Sequence, residues 1–400
     1  MALLQRNEYL DALRRWRDKD VIKVITGIRR CGKSTLLELF RAELLESGVD
    51  AGHIVSVNLE DFAFENLLNP RELHTYVLDK AAPEGKTYVF LDEVQNVKDF
   101  QRVVDSLFLR KNIDLYITGS NAYLLSGELA TLLSGRYVAI EMLPLSFAEY
   151  VEWTGSNDNL PQKYQNYLET SSFPYALELA SDSKAVRTYL EGIYNTVVLK
   201  DVAGRLKTVD PMMLESILRF AFSSLGSPIS SKKIADTLCS NGRKIDSRTV
   251  EKYLVALTDS FILYRAGRYD VRGKQHLKSL EKYYAVDLGL RFMLLGGRGL
   301  DVGHILENVV YLELLRRGCD VAVGKVGDME VDFVASSPDG LFYVQVAASV
   351  RDPKTLEREL RVLQKINDNY PKVILTLDED IDADYEGIRR KNALRWLIDK

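Results

Sequence analysis

Residues Gly27-Ile28-Arg29-Arg30-Cys31-Gly32-Lys33-Ser34 spell G-x-x-x-x-G-K-S. They follow the apolar run Val21–Thr26 directly and open Lys33–Glu46, whose apolar residues recur at helical spacing. Strand, glycine-bounded loop and helix in that order commit the chain to an α/β fold around a buried parallel strand. Gly27 and Gly32 permit dihedrals that a Cβ would block, so successive backbone N–H groups can turn inward around an anion. The helix N-terminus adds partial positive charge at the same place. The pattern predicts a phosphate cradle over Gly27, Ile28, Arg29, Arg30, Cys31, Gly32, Lys33, Ser34 and Thr35. Lys33 is expected at the β- and γ-phosphates of a nucleotide, and the Ser34 hydroxyl on Mg²⁺.

The next hundred residues continue the alternation. Strands are expected at His53–Leu59, Thr87–Leu91, Ile113–Thr118 and Tyr137–Met142, and helices at Val97–Leu109 and Ala122–Leu133. This order argues for a parallel sheet covered on both faces. The third strand runs on as TYVFLDE, beginning about 55 residues after the glycine loop. Asp92 at its end is expected to hold the Mg²⁺ hydration shell, and Glu93 to polarise an attacking water. The segment ITGSN places Ser120 and Asn121 where they would sense the γ-phosphate or orient that water; a plain turn with a helix N-cap is the alternative. Arg136, between a helix and the fifth strand, either stabilises transition-state charge, in cis or on a neighbouring subunit, or is a surface arginine.

Composition narrows the function classes. No N-K-x-D motif for reading guanine is evident, so ATP is preferred over GTP. Formal net charge is −4, so any nucleic-acid surface must be a local patch. Cys31, Cys239 and Cys319 are odd in number and far apart, which gives neither a disulfide framework nor zinc-ligand spacing. The first twenty residues are charged throughout, and no apolar run approaches the roughly 18 residues of a membrane span. The expectation is a cytoplasmic protein with no membrane partner.

After Pro144 the pattern changes. Residues 145–225 read as helices with aromatic faces, and 228–290 as helix, turn, helix and two strands, an order that resembles a winged helix. From Lys200 to Asp287 there are 16 Lys and Arg against 10 Asp and Glu, a net of +6 that leaves −10 for the rest. Arg243, Lys244, Arg248 and Lys252 fall on or just before the second helix of that unit, and Arg265, Arg268, Arg272 and Lys274 on or near its wing. Residues 228–290 are therefore expected to contact a DNA or protein partner, both readings standing. From about residue 303 a further α/β unit follows, with strands EVDFVAS and LFYVQVAAS, the long helix TLERELRVLQKIND and the strand KVILTL.

The segments VIKVITGIRRCGKSTLL, VFLDEVQNV, ITGSNAYLLSGELATLLSGRYVAIEMLPLSFAEY and SSFPYALE resemble a prokaryotic family of AAA-type ATPases known simply as "ATP-binding protein". The resemblance covers nearly the whole chain. It implies an ASCE-type P-loop sheet, with one strand inserted between the P-loop strand and the Asp92–Glu93 strand. It also implies a C-terminal domain related to PD-(D/E)xK nucleases, with Glu307 on its leading helix and Asp332 in EVDFVAS. That chemistry needs E-x-K on the next strand, where this chain has Gln345-Val346-Ala347. Gln345 binds a divalent cation poorly and Ala347 cannot position water, so a degenerate, non-cleaving unit is expected. The expected division is 1–150 for the AAA-type P-loop ATPase domain, 151–295 for the helical and winged-helix-like domain, and 296–400 for the nuclease-like domain. The expected activity is Mg²⁺-dependent ATP hydrolysis driving a conformational switch in a chain able to form a homo-oligomer. The alternatives are an ATP-binding regulator without turnover and, opposed by Gln345 and Ala347, a nucleotide-gated nuclease.

Overall fold

The structure, a computed structural model, describes residues 4–120, 135–203, 206, 210–296, 301–380 and 382–399. The helix expected at Ala122–Leu133, and Asn121 with it, lies outside the described residues. The chain divides into two compact units, one of Met1–Pro144 with Asp259–Phe261, the other of Leu145–Thr258 with Ile262–Lys400.

In the first unit a short helix α1 (Asn7–Trp16) precedes β1 (Ile22–Thr26), α2 (Lys33–Glu46), β2 (Ile54–Asn58), α3 (Pro70–Lys80), β3 (Thr87–Asp92), α4 (Phe100–Phe108), β4 (Ile113–Gly119) and β5 (Tyr137–Glu141). All five strands are parallel, in the order β2-β3-β4-β1-β5. The strand β4 therefore lies between the strand that carries the glycine loop and the strand that ends in Asp92, as the resemblance implies.

Period-two alternation gives each strand an apolar side chain for both faces. Ile22, Val24, Val89, Leu91, Leu115 and Ile117 face α3 and α4, which add Leu73, Val77, Val103, Val104 and Leu107 to one core. On the other face Phe40 of α2 packs against Phe90 and Tyr116, which stack at 4.8 Å. Lys23 interrupts the apolar run of β1 and is fully buried. It is neutralised by Asp114 of β4, which also accepts from the Tyr116 hydroxyl and the Asp18 N–H. A buried pair satisfied in this way pins the loop before β1 to the sheet.

The second unit begins with α5 (Phe147–Trp153), α6 (Leu160–Thr170), α7 (Pro174–Glu178) and α8 (Ser183–Tyr194), then α9 (Pro211–Ser223). A capping box opens α5: the Glu149 N–H donates to the Ser146 hydroxyl, and the Ser146 N–H donates to the Glu149 carboxylate. Next come β6 (Pro228–Ile229), α10 (Ser231–Ser240), α11 (Ser247–Asp259), β7 (Leu263–Asp270), β8 (Gln275–Ala285) and α12 (Leu288–Leu295). The chain finishes with α13 (Val302–Arg316), β9 (Asp320–Val326), β10 (Met329–Ser337), β11 (Gly340–Ala347), α14 (Pro353–Gln364), β12 (Lys372–Thr376), β13 (Ala383–Tyr385), β14 (Ile388–Asn392) and α15 (Ala393–Ile398).

One nine-stranded sheet, in the order β13-β14-β12-β11-β10-β9-β7-β8-β6, runs through residues 228–392. The hairpin β7–β8 joins it by parallel pairing of Arg268–Asp270 with Val323–Lys325 of β9. Residues expected as separate segments on either side of 295/296 thus share one sheet. The recognisable SSFPYALE segment has a local reason as well. Ser171 and Ser172 both donate to Asp287 just after β8, and a Cβ on Gly289 would stand 2.6 Å from that of Ser171.

Candidate functional site

The ends of β1, β3 and β4 converge because the strands are parallel and in register, so their C-terminal residues emerge on one edge. Gly27 leaves β1 with φ +146°, and a Cβ there would lie 2.1 Å from the Met142 carbonyl oxygen, which only glycine tolerates. Arg30 (φ +68°) and Gly32 (φ +105°) continue the tight turn. Ile28 and Cys31 are buried beneath it, and burial pushes the Cys31 thiol up, so it stays protonated. Arg29, half-buried, ion-pairs with Glu60 at 2.5 Å, while Arg30 and Ser34 are exposed and Thr35 is half-buried. Gly32 begins α2, and no side chain caps that end. Asn69, Asp182, Asp210 and Ser230 do cap other helices of the chain. With glycine at the N-cap, that residue offers no side-chain acceptor to the first N–H groups of α2.

Lys33 is the centre of the arrangement. Its ammonium, on a side chain only 3% exposed, donates to the Gly27 carbonyl at 3.1 Å, the Ile28 carbonyl at 3.3 Å and the Ser120 hydroxyl at 2.8 Å, and lies 3.5 Å from Glu93 Oε1. Ser120 passes its own proton toward the same Glu93 oxygen. Glu93 sits in left-handed backbone (φ +54°), its N–H donating to Thr118 Oγ1 at 2.9 Å. The Thr118 hydroxyl in turn donates to Asp92. Gln95 donates its amide to the other Glu93 oxygen. Burial raises the Glu93 carboxyl, but Lys33, Ser120, Gln95 and Arg29 together outweigh it and leave its pKa below the usual carboxylate range. The site thus holds an ionised, hydrogen-bonded carboxylate beside a buried ammonium.

Of the residues singled out in the sequence, Gly27, Gly32, Lys33, Asp92, Glu93 and Ser120 come together here. Arg136 does not. Its carbonyl accepts from the Ile22 N–H at the start of β1, five residues of strand (roughly 16 Å at the usual rise) from where the glycine loop begins. Its side chain, 46% exposed, faces Asp105 at 3.8 Å and the Phe108 ring of α4. Thr118 and Gln95 were not anticipated. Thr118 lies two residues before Ser120, so the strand alternation of β4, carried one residue past Gly119, puts the two on one side.

In the second unit Arg248 and Lys252 are exposed on α11, and Lys244 is exposed with Arg243 half-buried just before it. The hairpin arginines are differently placed: Arg265 pairs with Glu281 and Arg268 with Glu330, both at 3.4 Å. Farther along the sheet, Lys282 of β8 lies 2.9 Å from Glu307, 2.8 Å from Glu330 and 3.8 Å from Asp332. Gln345 donates to Glu359 of α14 at 2.8 Å. Asp301, His304, Glu307, Asp332, Gln345 and Glu359 line a cavity of about 360 Å³ there.

A family model described as "AAA domain" matches residues 19–151, and one described as "Domain of unknown function (DUF8612)" matches residues 161–301. An uncharacterized protein of Haemophilus influenzae is 38% identical over 401 residues, with 99% of each chain covered. The chain belongs to that protein's family. An uncharacterized protein of Methanocaldococcus jannaschii is 28% identical over 367 residues, covering 86% of this chain and 78% of the relative. Among solved structures, a Walker-type ATPase of Pyrococcus abyssi aligns with a TM-score of 0.50 at 16% identity, over 73% of this chain and 96% of its own. That likeness concerns the fold. With the family model and the five parallel strands, it makes the first unit a P-loop, AAA-type α/β domain. No described helix is long and apolar enough to cross a membrane.

Proposed function

We propose that this member of the family binds ATP with Mg²⁺ at the Gly27–Thr35 loop and hydrolyses it. The observation that carries the reading is the junction of Lys33, Ser120 and Glu93 at the adjoining strand ends. The residues present suit the ligand: an uncapped helix start and a buried ammonium match a polyphosphate, and the Ser34 hydroxyl and Asp92 carboxylate are the hard oxygen donors that Mg²⁺ prefers. Mg²⁺ bound there supplies charge neutralisation at the phosphate oxygens. Lys33 exchanges its carbonyl and serine partners for phosphate oxygens. Glu93, ionised and so acceptor-only, orients a water and takes its proton once the Ser120 hydroxyl turns toward the phosphate. Thr118 fixes the carboxylate of Asp92 and the backbone of Glu93 with one hydroxyl, so the two acids keep a constant spacing.

The exposed basic face of α11 supports a contact role for residues 228–290, with Arg248 and Lys252 one turn apart. Arg265 and Arg268 of the hairpin pair with Glu281 and Glu330, so the contact falls first to α11 with Arg243 and Lys244; Arg272 and Lys274 at the hairpin turn are exposed. The terminal segment, proposed as a nuclease-like fold without its chemistry, has Gln345 engaged by Glu359 and Ala347 where a lysine would be required. The 1–150, 151–295 and 296–400 division is then one of roles: nucleotide, partner contact, and a terminal unit built onto the same sheet as the hairpin. The switch that links nucleotide state to contact, and an assembly that uses Arg136 of one copy at the site of another, complete the reading.

Titration with MgATP tests it. The parent chain should bind and release phosphate; Lys33→Ala should do neither, because it removes the buried ammonium at the centre of the site. Equal binding by both would contradict the assignment.

A further inference from the structure

The glycine loop has a support that lies outside its motif. Arg6 precedes α1 in left-handed backbone (φ +49°) and is 6% exposed. Its guanidinium donates to the Cys31 carbonyl at 3.1 Å, the Leu143 carbonyl at 2.8 Å and the Pro144 carbonyl at 3.4 Å. The Tyr9 ring, one turn on, lies 4.8 Å from the guanidinium carbon, and its hydroxyl accepts from the Leu143 N–H at 3.1 Å. Both backbone groups of Leu143 are thus taken, by Arg6 and by Tyr9 of α1. The same strip of chain backs the loop from a second side. The Met142 N–H donates to the Thr26 carbonyl at 2.7 Å, and Met142 O is the atom a Cβ on Gly27 would strike.

In a trans peptide the carbonyl of one residue and the N–H of the next point in opposite directions. With the Cys31 carbonyl held by Arg6, the Gly32 N–H is fixed on the opposite side of that peptide, away from the guanidinium. The reversed peptide would present an oxygen to the phosphates and repel them. Arginine suits the task because its planar fork can bond several carbonyls at once in fixed directions, which a lysine cannot.

We propose that Arg6 is a positioning residue of the phosphate site, holding the Cys31–Gly32 peptide in the orientation that presents the Gly32 N–H to a polyphosphate. The inference rests on the nucleotide reading above. Arg6 touches no reacting atom, so its removal acts on affinity rather than on the chemical step.

The test compares the parent with Arg6→Gln and Arg6→Lys, titrated by calorimetry with MgATP and with inorganic tripolyphosphate. The kcat and KM for phosphate release, and the thermal midpoint without ligand, are read on the same samples. Arg6→Gln should weaken both ligands by a similar factor, about ten- to a hundredfold, as loss of a charge-assisted bond to the loop implies. Arg6→Lys should weaken them by a smaller factor, at least about threefold, and kcat should stay within about threefold in both. If Arg6→Gln melts too low to titrate, Arg6→Lys carries the test at the parent's midpoint. Unchanged affinity in the variants, a loss confined to MgATP, or a fall in kcat at constant KM would overturn the proposal. A parent that fails to bind MgATP refutes the nucleotide reading itself, and this inference with it.

Discussion

Lys33 Nζ lies 3.5 Å from Glu93 Oε1, and the Ser120 hydroxyl is bonded to both. Phosphate-compensating cation and water-activating anion are therefore linked before any ligand separates them. Lys33 and the Ser120 hydroxyl keep the Glu93 carboxyl low in a site where burial alone would raise it.

Ser120→Ala removes the link. Phosphate release should fall about 10- to 100-fold, with affinity for MgATP changed far less, because the γ-phosphate and Glu93 lose their shared hydroxyl. The Glu93 carboxyl should also move up. A carboxyl held below its unfolded value adds stability above the ordinary Glu pKa, and that stability is lost as pH falls through the folded pKa. Acid unfolding of Ser120→Ala should accordingly begin at higher pH than in the parent. Identical acid transitions would show that Ser120 does not hold the carboxylate.

Arg136 stands at the far end of β1 from the loop, so a role in hydrolysis requires a second copy. Activity per chain should rise with protein concentration, and mixing Arg136→Ala with Glu93→Gln chains should restore part of the hydrolysis that each lacks. A flat concentration dependence without rescue would make Arg136 the partner of Asp105 and Phe108 and nothing more.

If α11 contacts duplex DNA through phosphates, affinity should fall by about 0.9 log units per log unit of salt for each phosphate neutralised. Arg248→Ala with Lys252→Ala should flatten that slope for every sequence tried. Absence of binding at about 50 mM salt, where the electrostatic attraction is strong, would leave a protein partner.

The loop Gly27–Ser34 and the Asp92–Glu93 pair are legible because each residue type is required by local chemistry, and short apolar runs alternating with helical patterns expose the strands around them. Arg6 is not, because its partners lie 25 and 137 residues away and are backbone carbonyls, which carry no side-chain signature. Helix α1 was read only as a charged stretch, because just Tyr9, Leu10 and Leu13 of its residues are buried. Strands β13 (ADY) and β14 (IRRKN) carry no alternating apolar pattern, since their pairing is set by tertiary context. The junction of β7 with β9 was invisible for the same reason. Lys282 likewise reads as one more basic residue of the hairpin, whereas the fold buries it among three carboxylates from α13 and β10.

Those carboxylates give a pH prediction. Burial, reinforced by Glu307 and opposed by Lys282, pushes Asp332 well above the usual carboxylate range. Stability from a raised carboxyl is complete below the unfolded pKa of about 4 and is lost as pH rises toward the folded value. The parent's thermal midpoint should therefore decline as pH rises above the ordinary carboxylate range. Asp332→Asn, which keeps an acceptor for the Val346 N–H, should flatten that decline. An unchanged slope in the variant would show that Asp332 is not the source of the decline.

The most direct measurement of the central claim is a paired assay of the parent and Glu93→Gln, following MgATP binding by calorimetry and phosphate release on the same samples. The account predicts that both bind, and that the variant releases phosphate at least about 100-fold more slowly, as loss of a general base requires. Hydrolysis by Glu93→Gln at the parent rate would contradict it.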